Sequence, residues 1–146
     1  MKKYKVKKML DEYVSKDKND GVQYLTSSEL EIYKIHIKDG LLYNFKGNLL
    51  DTSRGWTLHN LQSAGIYVMD EFGNLFVSIS HTEKFHHSSF LSGKPVAGAG
   101  EIIIEKGKLI FINNKSGHYT PNCLYLTQVR SRFKKELSYK FKTKSF

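Results

Sequence analysis

The chain has 146 residues and 40% apolar content, which suits one compact domain with a sizeable core and excludes two ordinary ones. Its formal charge of +9 is concentrated at the ends, with Lys2, Lys3, Lys5, Lys7 and Lys8 at one and Arg130, Arg132, Lys134, Lys135, Lys140, Lys142 and Lys144 at the other, and favours anionic partners such as RNA. Cys123 is the single cysteine, which excludes an internal disulfide and a thiolate metal cluster.

No signal-like segment or membrane-spanning apolar run is present in the sequence. A cytoplasmic protein is expected, or one delivered into a target cell by a specialised secretion system.

In chain order, Tyr4, Val6, Met9, Leu10, Tyr13 and Val14 predict an amphipathic helix from about Lys3 to Ser15, ended by the KDKNDG run. Thr26-Ser27-Ser28-Glu29 has capping-box spacing, and Leu30, Tyr33 and Ile37 share one helical face, so a second helix is expected to run on to Gly40. Lys46-Gly47-Asn48 suits a tight turn, and DTSRGWTLHNLQSAG reads as irregular chain, with Trp56 a packing residue and His59 in a loop.

The period then becomes extended. GIYVMD and LFVSIS flank one turn, and GEIIIE and KLIFIN flank Lys106-Gly107. FHHSSFL reads as an intervening strand, and the AGAG run as a close backbone approach to Glu101. Thr120-Pro121 opens a helix carrying Leu124, Leu126, Val129 and Phe133, with Cys123 as a small packed residue, and LSYKFKTK alternates like a lysine-bearing edge strand. The fold class is α+β: N-terminal helices packed on a curved antiparallel β-meander, with a C-terminal helix and edge strand, in one domain over residues 1–146 whose core spans about 24–132.

The segment from Phe85 to Pro121 gathers the residues that suggest chemistry. His87 and His118 form a prospective acid–base pair, Glu101 a base or orienting carboxylate, and Tyr119, Lys94 and Lys115 groups for a phosphate, with Ser88, Ser89 and Ser116 as further substrate contacts. No metal is expected, because His86 and His87 would point to opposite faces of a strand and no Asp or Cys lies near them or His81 at ligand spacing.

The GIYVMDEFGNLFVS hairpin, HSSFL (His87–Leu91), GEI (Gly100–Ile102) and SGHY (Ser116–Tyr119) resemble a domain of plant IQ-motif calmodulin-binding proteins. The same stretch, roughly Tyr24 to Arg132, is similar to the C-terminal domains of bacterial polymorphic toxins. The resemblance implies a toxin- or effector-type domain, with a cognate immunity protein among its partners. No IQ-type helix stands out, so calmodulin is not expected.

The reading placed first is a metal-independent ribonuclease using His87 and His118, with no cofactor. The alternatives are an NAD-dependent ADP-ribosyltransferase using His87-Ser88, Tyr119 and Glu136, and a non-enzymatic basic module that binds nucleic acid or an acidic protein.

Overall fold

A computed structural model describes residues 3–146, so Lys2 of the basic N-terminus lies outside the described residues. The elements are α1 (Glu12–Asp20), α2 (Ser27–Glu31), β1 (His36–Lys38), β2 (Leu41–Tyr43), β3 (Gly65–Met69), β4 (Leu75–Ser78), α3 (His87–Phe90), β5 (Gly98–Glu105), β6 (Lys108–Asn113), α4 (Cys123–Lys134) and β7 (Lys142–Lys144). A five-stranded sheet runs in the order β4-β3-β5-β6-β7, and β1 and β2 form a small hairpin of their own. The expected α+β class is the one observed.

The sheet is covered on both faces, which is why β3 reads as an unbroken apolar run with every residue buried. Tyr67, Ile102, Ile104 and Ile112 meet Leu126, Val129 and Phe133 of α4 on one face. Ile66, Val68 and Ala99 meet Phe85, Phe90, Tyr119, Met9 and Leu25 on the other. Each fully buried large side chain contributes on the order of 2 kcal/mol by leaving water, so the two layers together hold the sheet between them.

The two β-hairpins and the helix after Pro121 form as their patterns predict, with Asn122 capping α4 by accepting from the Leu124 N–H at 3.0 Å. The edge strand also forms, but β7 pairs parallel to β6. Helix α4 is the reason: a helical crossover returns the chain to the end of the sheet from which β6 began.

Other expectations give way to tertiary constraints. FHHSSFL is not a strand: both edges of β3 are already taken by β4 and β5, and the segment turns into the short helix α3 instead, with Ser89 Oγ accepting from the His86 N–H at 3.0 Å. The first helix starts only at Glu12 and runs through KDKND to a left-handed Gly21, because the preceding chain is held extended by the pairing of Lys7 with Val96. The capping box at Thr26 is present, yet α2 ends at Glu31 so that Tyr33 and Ile35 can bond Val77 and Leu75 and cover the edge of β4. Cys123 is exposed at the start of α4 and is not a packed residue.

Gly100 is the closest backbone approach in the sheet, since a Cβ there would run into the carbonyl of Asn113 on β6. Gly100→Ala is therefore expected to cost about 3 kcal/mol or more by forcing β5 and β6 apart. Denaturant unfolding that shows a loss under about 1 kcal/mol would refute this account of the AGAG run.

Candidate functional site

The second face of the sheet ends in a cleft of about 690 Å³, walled by α1 on one side and by segments 58–59, 81–87 and 117–118 on the other. Five of the six histidines line it: His59, His81, His86, His87 and His118. Their rings form a connected series, with centroids 5.6 Å apart for His59–His81 and His81–His86, 5.8 Å for His81–His87 and 4.7 Å for His86–His118.

His118 is the most tightly held. Its ring is stacked between Tyr13, at 4.0 Å, and His86, and its backbone carbonyl accepts from the Leu10 N–H at 2.8 Å. Its Nε2 lies 2.7 Å from Oδ1 of Asp17, a residue only 2% exposed. The other carboxylate oxygen accepts from the Tyr24 hydroxyl at 2.7 Å. Tyr13 and Asp17 are four residues apart on α1 and so share one face, while the turn at Gly21 brings Tyr24 back under that face.

Burial raises the Asp17 carboxyl pKa, but hydrogen bonds from Tyr24, Ser88 and His118, together with the His118 charge, outweigh it and leave the group below its ordinary value. The Ser88 hydroxyl is buried and makes no bond of good geometry, but it is near enough to help hold that charge. Burial and the neighbouring Asp17 raise the Tyr24 phenol to about 12.

Three further imidazoles, those of His81, His86 and His87, are held below their ordinary value. Burial lowers His87 to about 3, against a hydrogen bond to the Gly100 carbonyl at 2.7 Å, and lowers His81 to about 3 with help from the charges of His86, His59 and His118. Burial also lowers His86, seconded by His118 and opposed by the Glu83 carbonyl. Nδ1 of His81 accepts from the Leu58 N–H at 3.0 Å.

The predicted site residues separate into two groups. His87 and His118 do reach one cleft. Glu101 lies behind it at 2% exposure, its carboxylate accepting from the Thr57 hydroxyl and from Asn113 Nδ2 at 2.8 Å. Tyr119 is a core residue whose hydroxyl donates to the Lys94 carbonyl at 2.8 Å. The exposed Lys94 side chain borders a different groove, and the Lys115 ammonium lies 4.8 Å over the Phe146 ring. Ser89 and Ser116 cap local turns, Ser116 Oγ accepting from the Tyr119 N–H at 3.4 Å. Glu136 pairs with Arg132 on the surface at 2.6 Å. Sequence reasoning passed over Asp17, Tyr24, Tyr13 and His59. Asp17 lies in a charged run that reads as a helix terminator, and its contact with His118 spans 101 positions.

An α+β domain with an imidazole-lined cleft and an Asp–His pair is the class that the fold and site define. Residues 29–124 match the IQ motif-containing protein middle domain, and the chain belongs to that family. It is 35% identical over 109 residues to the IQ domain-containing protein IQM3 of Arabidopsis thaliana, covering 74% of this chain and 23% of that protein. It is also 33% identical over 101 residues to IQM2 of the same plant, 68% of this chain and 16% of that protein, so the chain spans about a fifth of the length of such relatives. No solved structure matches the chain.

This membership corrects the toxin and ribonuclease reading and, with it, the transferase-toxin alternative. Nothing in the comparisons carries the bacterial half of the resemblance. The expectations of RNA and of an immunity protein are likewise unsupported, and the expectation that calmodulin is not a partner does not stand for a chain of an IQ motif-containing family. The geometry agrees on the nuclease. His87, with a pKa of about 3, carries no proton for a leaving group near neutrality, and Lys94 and Lys115 lie away from the cleft.

The depressed histidines contribute to the acid limb of stability. His81 and His87 take up protons on unfolding once the pH drops below their ordinary value of 6.5, so stability is fully present above that pH and declines down to about 3. Between pH 6 and pH 4 these two groups are expected to contribute close to two protons to the slope of unfolding free energy against pH. His87→Asn removes about one of them, and an unchanged slope in that variant would show that His87 is not held neutral.

Proposed function

We propose that this domain binds a small polar ligand in the cleft and exchanges a proton with it through His118, with Asp17 as the residue that orients the imidazole. The observation that carries the reading is the Tyr24–Asp17–His118 chain of two 2.7 Å hydrogen bonds. With Nε2–H donated to the carboxylate, a neutral His118 keeps its lone pair on Nδ1. A proton taken there leaves an imidazolium next to a carboxylate already held charged, the arrangement that favours a general base. The stacked Tyr13 and His86 rings fix the plane in which that nitrogen works.

A thermal-shift screen of small polar metabolites tests this. A true ligand raises the melting temperature of the wild type, and His118→Gln removes the effect, because binding to the native state stabilises by mass action. Asp17→Asn is expected to weaken the same ligand at least about tenfold by releasing the ring, roughly 1.4 kcal/mol. A screen whose every stabilising compound acts equally on His118→Gln would sink the proposal.

Family membership favours a second reading, in which calmodulin is a partner of the protein that contains this domain. Helix α4, the longest helix among the described residues, buries Leu126, Val129 and Phe133 against the sheet and turns Arg130 and Lys134 outward. An acidic partner can engage that cationic side without undocking the helix. Retention of the chain on immobilised calmodulin, with calcium and with chelator, should fall in Arg130→Glu/Lys134→Glu. No retention in either condition would place any calmodulin contact outside this chain.

A further inference from the structure

The ring nitrogens of the cleft histidines define the kind of ligand it takes. His87 donates Nε2–H to the Gly100 carbonyl, so its neutral ring leaves Nδ1 as an acceptor. His118 does the same through Asp17. Both side chains are more than nine-tenths buried, both line the cleft, and neither second nitrogen has a protein partner among the described residues. His81 is the reverse case, since its Nδ1 accepts from Leu58 and leaves Nε2–H as a single donor. The buried walls thus offer two lone pairs and one N–H.

The rim, unlike the chain as a whole, carries no excess of positive charge. Its carboxylates, Asp20 and Glu83, are matched by two ammonium groups, Lys16 and Lys84, while Asp17 is buried in the wall with Tyr24 and His118. Both cations are engaged locally: Lys84 Nζ donates to the backbone carbonyl of Asp20, and Lys16 Nζ lies 5.5 Å over the Tyr13 ring. Asp20 and Glu83 are exposed at the mouth. A ligand rich in N–H donors and carrying positive charge satisfies both sets, whereas an anion would meet lone pairs inside and carboxylates outside.

We infer that the cleft recognises a small organic cation, an ammonium or guanidinium group, whose N–H bonds go to His87 Nδ1 and His118 Nδ1 and whose charge is met by Asp20 and Glu83. The inference rests on the reading of the cleft as a ligand site and specifies its ligand class.

Imidazole nitrogen resonances of isotopically labelled protein at pH 7 provide the test, with ethylammonium, methylguanidinium, inorganic phosphate and methyl glucoside as probes. Saturable shifts of His87 and His118 with either cation, weakened at least about tenfold in Asp20→Asn/Glu83→Gln, are the expected result. Shifts with phosphate or glucoside alone would leave the cleft a ligand site and overturn the cation. No shift with any of the four would overturn the ligand site as well, and cation binding unchanged in the double variant would overturn the assignment of the charge to Asp20 and Glu83.

Discussion

The buried carboxylate of Asp17 is the constraint on which the cleft depends. It sits at 2% exposure and takes its compensation from a phenol, a nearby hydroxyl and an imidazole. An uncompensated carboxylate at such a position would cost several kcal/mol, so helix α1, Tyr24 and the SGHY turn are obliged to converge on it. That convergence defines one wall of the cleft, and it selects the tautomer of His118. The stacking of His118 between Tyr13 and His86 then follows from where α1 has been placed.

A second buried carboxylate does a different job. Glu101 accepts from Thr57 and Asn113, while Asn113 Oδ1 accepts from the Glu101 N–H at 2.7 Å and the Lys115 N–H at 3.0 Å, and the Tyr67 hydroxyl donates to the Asn113 carbonyl at 2.7 Å. The group joins β3, β5 and β6 to the loop that carries Leu58 and His59 to the cleft. A fully satisfied polar network of this kind rigidifies the elements it joins. The two acids therefore divide by position: Asp17 shapes the wall that a ligand meets, and Glu101 locks the scaffold behind it.

Much of the sheet was legible because its information is local. Alternation and turn residues mark β3 to β6, and Pro121 with Asn122 marks the start of α4. The segments misread are those whose conformation is decided by what they touch. Lys3–Leu10 has an apolar pattern near helical spacing, but Val96 offers it a strand partner, and FHHSSFL has strand-like residues but finds no open edge. The site divides in the same way. The histidines stand out by composition, so His87 and His118 were singled out, whereas the carboxylate that bonds His118 lies 101 residues away in an ordinary charged run. Glu101 and Tyr119 drew notice for the same compositional reason and turned out to hold structure.

Net charge does not describe the cleft for a related reason. The terminal lysines are mostly exposed, and in physiological salt their field fades over about 8 Å. What a ligand meets inside the cleft is decided within hydrogen-bonding reach, where two lysines are already engaged and two exposed carboxylates, Asp20 and Glu83, remain. A chain can therefore be basic overall and still present a cleft suited to a cation. The stretch matched to the family begins at residue 29, after α1 and Tyr24, so the histidines fall inside it and Asp17 falls before it. The cleft is thus built where the matched stretch meets the helix that precedes it, and the His118 imidazole of one is oriented by the buried Asp17 carboxylate of the other.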